Sequence, residues 1–379
     1  MYSFEIKIPT EIYFGVNVEE KVGQLISKYA NKVMLIYGSE RIFESGLGDS
    51  IASNLENSGC QVVRFGGVRP NADIEYIEKA IEIARAENVN GLVAIGGGSV
   101  IDSAKAVSAG FGCTASVMDL FRGNAETTGF LPIAAIVTAP ATASEANGMA
   151  VIEDYRTCEK VARYFEGVIP KFAFLNPELT LTVPTYQTAV GGFDSFSHAF
   201  ERYMDLRRGS MLLDRMSASL MRTVIELLPK AIDDPWDIVV RSELMLAANM
   251  AHNNMLGPGG DFACHGIAHG ITTSYGLAHG GSLAMVIPAW CEYMKDRHPE
   301  RMENFFKEVF NALDIDDGIR RLKDFIQSLG LPLKMKADCD EIDSMAERIA
   351  GAKGFVGEGF EKMYMEDIAA VLRKVIIVA

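Results

Sequence analysis

Three histidines fall within the seventeen residues from Cys264 to Gly280 (CHGIAHGITTSYGLAHG): His265, His269 and His279. His265 and His269 are four positions apart, so on a helix both rings project from one face. His279 lies fourteen positions beyond His265. In one unbroken helix that is about 21 Å, whereas two ligands of one metal ion each lie about 2 Å from it. A chain that uses both for one ion must bend between them. The bend is expected in Thr272-Thr273-Ser274-Tyr275-Gly276, with Gly276 free to take dihedrals that other residues avoid. Upstream, in Gly191–His198 (GGFDSFSH), Asp194 and His198 are again four apart on one predicted helical face. One carboxylate and three imidazoles converging on a point would hold a divalent cation. Either pair alone arises by chance in helical chains. Four of the six histidines in two such clusters, set among glycines and small residues, favour a metal centre. Cys264 adjoins His265, but neighbouring helical positions point about 100° apart, which gives it a packing role.

A chain of 379 residues has material for two domains, or one large one. Apolar content of 49% and charged content of 23% are those of a globular protein. A formal charge of -14 argues against nucleic acid or an anionic membrane as partner, because both need basic surface. Cys60, Cys113, Cys158, Cys264, Cys291 and Cys339 are scattered without a C-x-x-C pair, the pattern of reduced thiols and a cytoplasmic location. The start, MYSFEIKIPTEIYFG, alternates like a strand and lacks the features of a secretion signal. No stretch is apolar for long enough to span a membrane.

From Phe4 to about Pro184, short apolar runs alternate with helical patterns. Val33–Tyr37, Gln61–Phe65, Gly91–Ile95 and Ile133–Val137 read as strands, with helices over Arg41 to Asn57 and Ile74 to Glu87. This alternation predicts a largely parallel, Rossmann-like sheet covered on both faces, with ligands bound beyond the carboxyl ends of its strands. After Pro184 the period becomes helical, over Ser210 to Leu228, Val239 to Met255, Met302 to Leu313, Gly318 to Gln327 and Glu361 to Val375. Gly257-Pro258-Gly259-Gly260 interrupts the run just before the histidine segment. The expected organisation is an α/β domain over residues 1–184 and an all-helical metal-binding domain over residues 185–379.

Gly96-Gly97-Gly98-Ser99-Val100-Ile101-Asp102 stands between a predicted strand and a predicted helix. Glycines there let a pyrophosphate approach the backbone, and the helix N-terminus offers unpaired N–H groups and a favourable dipole. Ser99 and Asp102 are also spaced as a capping box. The run is not G-x-G-x-x-G and does not lie in the first βα unit. A second loop, Thr138-Ala139-Pro140-Ala141-Thr142-Ala143-Ser144-Glu145-Ala146-Asn147, follows another strand; by itself it reads as an ordinary polar turn, and beside the other motifs its small hydroxyl residues could line a cofactor.

Together these residues resemble the iron-containing (group III) alcohol dehydrogenase family over essentially the whole chain. The likeness includes Val68-Arg69-Pro70-Asn71, the Gly96–Asp102 loop, Ser144-Glu145-Ala146-Asn147, Asp194-x-x-x-His198 and His265-x-x-x-His269-x9-His279-Gly280. The resemblance implies a dehydroquinate synthase-like architecture with the active site between two domains, and makes the α/β domain over residues 1–184 dinucleotide-binding. It assigns Asp194, His198, His265 and His279 to Fe(II), with Zn(II) the main rival since imidazole and carboxylate suit both. It makes His269 the non-ligand histidine that helps proton transfer. Gly38, Ser39, Asn71, Gly96, Gly97, Gly98, Ser99, Asp102, Thr138, Thr142, Ser144 and Lys160 fall at the cofactor. NAD-preferring members carry aspartate at the position of Ser39, so the resemblance favours NADP(H) over NAD(H), with Glu40 the residue that would restore a ribose contact. The implied reaction is reversible hydride transfer between NAD(P)(H) and a primary alcohol or aldehyde, in an enzyme expected to be a homodimer. Glycerol or glycerol-1-phosphate dehydrogenases and dehydroquinate synthase-like lyases share the plan but differ in their metal sets.

Overall fold

The computed structural model describes residues 3–157, 159–337 and 341–378. Its contacts divide the chain into two compact units, Ile8–Val183 and Met1–Lys7 with Pro184–Ala379.

In the first unit the strands are β1 (Glu11–Phe14), β2 (Lys32–Tyr37), β3 (Gln61–Phe65), β4 (Gly91–Gly97), β5 (Ile133–Ala139), β6 (Met149–Asp154), β7 (Glu159–Tyr164) and β8 (Phe172–Leu175). The helices are α1 (Val22–Ile26), α2 (Arg41–Glu44), α3 (Leu47–Asn57), α4 (Ile74–Ala86), α5 (Gly98–Phe111) and α6 (Val117–Arg122). Six strands form one sheet in the order β1-β8-β5-β4-β2-β3, and all its pairings are parallel. Successive side chains of a strand point to opposite faces, so Val33, Leu35 and Tyr37 pack with Val22, Ile26, Ile51 and Leu55 of α1 and α3. Met34 and Ile36 are fully buried on the other face. Parallel strands that are apolar on both faces are what a doubly covered sheet requires. The loops that leave β2, β4 and β5 emerge from the same end of three adjacent strands, which is where such sheets bind ligands.

Three local expectations need correction. The single helix expected over Arg41 to Asn57 is two, because Gly46 takes φ +84 and starts α3 afresh. The N-terminal stretch is a strand only over Glu11–Phe14. The antiparallel β6–β7 hairpin, which places Glu153 opposite Lys160, had no counterpart in the sequence reading.

The second unit contains α7 (Thr185–Tyr203), α8 (Met211–Asp233), α9 (Ile238–His252), α10 (Ala263–Tyr275), α11 (His279–Met294), α12 (Pro299–Phe310), α13 (Ile315–Ser328), α14 (Ile342–Ala350) and α15 (Met365–Val375). It is helical apart from two short ribbons, which pair Met335–Ala337 with Ile376–Val378 and Phe355–Val356 with Met363–Tyr364. Phe193, Phe196 and Phe200 of α7 are fully inside the core. α8 runs on through Pro229 to Asp233, past the expected end.

Two glycines set the path to the histidines. Thr272–Tyr275 remain helical, and the turn comes at Gly276, whose φ of 66 lies in the left-handed region that ends helices. Beyond it, a Cβ on Gly280 would lie 2.1 Å from the Val190 carbonyl oxygen. Only glycine lets the start of α11 lie backbone to backbone against α7. Among the described residues no helix is long and apolar enough to cross a membrane.

Candidate functional site

Asp194, His198 and Glu201 are spaced i, i+4, i+7 along α7, which aligns them on one face. α10 brings in His265, whose Nε2 lies 3.6 Å from Asp194 Oδ1. α11 opens on His279, whose Nε2 lies 3.8 Å from the same oxygen. The rings of His198 and His265 are 4.4 Å apart between centroids, and those of His265 and His279 5.3 Å. Donors bound at about 2.1 Å to one tetrahedral ion stand about 3.4 Å from one another, so this spacing suits a common cation. Asp194, His198 and His265 form a buried group with one ligand atom from each within 4.8 Å of the others.

The remaining ring nitrogens are committed in a way that leaves the right ones for a metal. His198 Nδ1 is 2.9 Å from the Asp194 carbonyl oxygen, which can only accept, so Nδ1 carries the hydrogen and Nε2 the lone pair. His265 Nδ1 hydrogen-bonds Glu201 Oε2. Its Nε2 is buried with no hydrogen-bond partner among the described residues, an atom that a bound cation would satisfy. Glu201 is 1% exposed, and its other oxygen accepts from the Cys264 N–H at 2.7 Å and the His265 N–H at 3.4 Å. The carboxylate thus orients the ring and raises its basicity as a ligand.

The charges agree with this donor set. Burial pushes His198 down to about 4, with the nearby His265 and Arg202 adding to the fall and Asp194 opposing it. Burial also pulls on His265, but the Glu201 and Asp194 carboxylates outweigh it and hold the ring at about 9. Two buried carboxylates therefore draw a positive charge to this point: without a metal it is a proton on His265, which a bound cation would displace, while His198 is already neutral. Cys264 is buried beside them, its thiol pushed well up by burial, in keeping with packing.

His269 lies one turn beyond His265, with its ring centroid 4.7 Å from that of His279. His252 sits closer to the centre than its sequence position suggested, 4.4 Å from the His198 ring. Its Nδ1 is 3.2 Å from Arg202 Nη2, which can only donate, so Nδ1 is the acceptor. No i,i+4 partner marks His252 in the sequence. Glu201 did leave a signal, three positions after His198 on the face already chosen.

In the first unit, Gly38 and Ser39 follow β2, where the Tyr37 hydroxyl donates to Glu40 Oε1 at 2.9 Å. Gly96 and Gly97 end β4, and Gly98 begins α5. A Cβ on Gly98 would lie 2.9 Å from Thr142 Oγ1, so the two loops touch. The N-cap, Gly97, makes no side-chain hydrogen bond to the first turn. The leading N–H groups of a fourteen-residue helix are thus available to an anion, which fits a pyrophosphate.

The expected capping box is absent, because the helix starts before Ser99. Ser99 Oγ instead accepts from the Asn71 N–H at 3.0 Å. Asp102 Oδ1 accepts from Ser144 Oγ at 2.5 Å and Oδ2 from the Val151 N–H at 3.1 Å. Burial raises the Asp102 carboxyl, with Lys105, Ser144, Val151 and Lys160 opposing. Lys105, itself pushed down to about 8 by burial, donates to the Met149 carbonyl at 2.8 Å and Asn147 Oδ1 at 3.2 Å. Asp102 and Ser144 therefore brace two loops together. Thr142 Oγ1 accepts from the Ser144 N–H at 3.3 Å, and Lys160 Nζ donates to Asn71 Oδ1 at 3.4 Å. Thr138 is half-buried at the end of β5.

The sequence profile described as "Iron-containing alcohol dehydrogenase" matches residues 9–177, and that described as "Fe-containing alcohol dehydrogenase family, C-terminal" matches residues 188–376. The chain belongs to the iron-containing alcohol dehydrogenase family. Membership makes it an oxidoreductase that works with a nicotinamide cofactor. It is 34% identical to the probable NADH-dependent butanol dehydrogenase 1 of Bacillus subtilis, over 98% of this chain and 99% of the relative. It is 32% identical to the NADPH-dependent aldehyde reductase YqhD of Escherichia coli, over 88% of each. Among solved structures, the NADH-dependent butanol dehydrogenase A of Thermotoga maritima superposes with a TM-score of 0.92 at 30% identity, covering 100% of this chain and 99% of that one.

Proposed function

We propose that this member of the iron-containing alcohol dehydrogenase family interconverts primary alcohols and aldehydes at a divalent cation held by Asp194, His198, His265 and His279. The observation that carries the reading is the approach of His265 Nε2 and His279 Nε2 to a single oxygen, Asp194 Oδ1, at 3.6 and 3.8 Å. Fe(II) is the proposed ion and Zn(II) its rival. When bound, the cation supplies Lewis acidity toward the substrate oxygen, and the dinucleotide supplies the hydride.

The chain's own groups do the rest. Gly97, Gly98 and the start of α5 hold the pyrophosphate through backbone N–H groups, with Gly96, Ser99, Thr138, Thr142 and Lys160 around it. Asn71, Asp102 and Ser144 keep the loops in place. His269, beside His279, accepts or returns the substrate proton at a ring nitrogen, the general acid–base role that imidazoles commonly fill.

NADP(H) is the proposed dinucleotide, because Ser39 puts no carboxylate at the end of β2 where a 2′-phosphate would meet it. The second reading is NAD(H), favoured by Glu40. Its carboxylate, held by the Tyr37 hydroxyl at 2.9 Å, lies one residue further on and would repel that phosphate. A homodimer is proposed on the commonness of that assembly. A cytoplasmic location is proposed on Cys60, Cys113, Cys264 and Cys291, which stand as buried free thiols.

Elemental analysis of anaerobically purified protein, with kcat/KM for NADH and NADPH over a panel of aldehydes, tests the whole reading. His265→Ala should lose both metal and turnover, while His269→Ala should keep the metal and turn over more slowly. Full-rate turnover of His265→Ala would remove it from the ligand set.

A further inference from the structure

Glu153 lies on β6 and is 3% exposed. Its backbone N–H donates to the Ala72 carbonyl at 3.2 Å, and across the hairpin it stands opposite Lys160. This sets the side chain against the bend at Asn71 and Ala72, both of which take the left-handed backbone conformation, with φ of 63 and 53. Two consecutive non-glycine residues in that region are costly and persist only where their surroundings over-determine them. Here the Asn71 N–H donates to Ser99 Oγ at 3.0 Å, and the Tyr155 hydroxyl donates to the Pro70 carbonyl at 2.6 Å. Lys160 Nζ reaches Asn71 Oδ1 at 3.4 Å. A strained turn is thus pinned between the glycine loop and the hairpin, with the Glu153 carboxylate behind it.

That carboxylate is not satisfied from within. Burial raises its pKa, while the Lys160 charge and a hydrogen bond from Asn71 pull it back. Oε2 is buried and has no hydrogen-bond partner among the described residues. A partner for Lys160 alone would have no use for a second, desolvated acceptor, and native proteins rarely leave one empty. Two residues proposed at the dinucleotide, Asn71 and Lys160, act directly on it, with the Asp73 carboxylate also close by. We propose that Glu153 is a further dinucleotide-binding residue, its Oε2 accepting a hydrogen bond from a hydroxyl or amide donor of the bound cofactor. The inference rests on the reading of these loops as a dinucleotide site. A carboxylate cannot donate to a phosphate and repels it, so Glu153 takes the donor-bearing ribose or carboxamide groups, while the pyrophosphate goes to the start of α5.

The test is the binding of NADH, NADPH and ADP-ribose, followed by fluorescence or calorimetry, to wild type and to Glu153→Gln. Gln keeps the size but presents an amide N–H₂ or a weaker acceptor to the ligand donor. The expected result is a dissociation constant for the reduced dinucleotides raised about tenfold or more, with the melting temperature of the ligand-free protein and its metal content unchanged. A similar loss for ADP-ribose assigns the donor to a ribose, and a loss confined to NADH and NADPH assigns it to the carboxamide. Dissociation constants within twofold of wild type for all three ligands would overturn the proposal. If Glu153→Gln does not fold, Glu153→Thr, which removes the buried charge from a strand position, is read in the same way. Wild type that binds none of the three would overturn the dinucleotide reading itself, which separates that failure from this one.

Discussion

Replacing Glu201 by Gln isolates the contribution of a single carboxylate to the proposed metal centre. In the native site one oxygen accepts from the Cys264 and His265 backbone N–H groups, and the other receives the His265 Nδ1–H. A glutamine can keep its oxygen on the backbone groups only by pointing its amide N–H₂ at Nδ1. The ring would then have to carry its hydrogen on Nε2, the nitrogen that faces Asp194. Turned the other way, the amide sets N–H₂ against two backbone N–H groups. Either arrangement forfeits a charge-assisted hydrogen bond, worth about 1.5–3 kcal/mol. The cation affinity should therefore fall about 10- to 100-fold. The ligand-free protein should also lose stability, by about 3–5 kcal/mol, because one partner of a buried ion pair has been removed and the His265 charge keeps only Asp194. Chelator competition with Zn(II) or Co(II), together with urea unfolding of the metal-free protein, measures both quantities. Cation affinity within threefold of wild type would show that Glu201 does not orient His265, and the account of the ring would fail.

Further expectations follow from other contacts. Gly280→Ala puts a methyl group 2.1 Å from the Val190 carbonyl oxygen; it should cost about 1–3 kcal/mol in urea unfolding and weaken cation binding by moving His279. Gly98→Ala meets only the rotatable Thr142 side chain, at 2.9 Å, so its unfolding midpoint should stay near wild type. Its dissociation constant for NADH should nonetheless rise at least about tenfold as the methyl group crowds the pyrophosphate. Burial raises Asp261 to about 6 from 3.8, against backbone hydrogen bonds from Gly359 and Phe360 that oppose the rise. The folded state then holds this proton more tightly than the unfolded state does. Its stabilising contribution is full below pH 4 and is lost as pH rises through 6, a swing of about 3 kcal/mol. Wild type should gain that much over Asp261→Asn between pH 7 and pH 4 in paired urea unfolding curves; a difference that does not change with pH would exclude it.

The parts of the chain that were legible in advance are those governed by local periodicity. Strands β2, β3, β4 and β5 stand out because apolar runs bounded by turn residues are the direct imprint of a sheet buried on both faces. Asp194 and His198 were visible because helical spacing alone aligns them on α7, and His265 was marked by the same spacing from His269 on α10. What stayed hidden depends on partners distant in sequence. Ser99 and Asp102 have the spacing of a cap, yet Gly98 is already helical and both side chains turn to other loops. His252 acquires meaning only once α7 and α9 are brought side by side, which no single window of sequence reveals, whereas Glu201 shared the face of Asp194 and His198 but its partner on α10 lay out of sight.

The Asp102 carboxylate, holding Ser144 on one oxygen and Val151 on the other, has a practical consequence for anyone altering this enzyme. The segment after β5 and strand β6 are both tied to α5, so a change meant to retune either will drag its neighbour along. The exposed pair Ser39 and Glu40 is held within its own segment, Glu40 by the Tyr37 hydroxyl, and on the proposed reading it is where coenzyme choice can be rewritten with the least collateral movement.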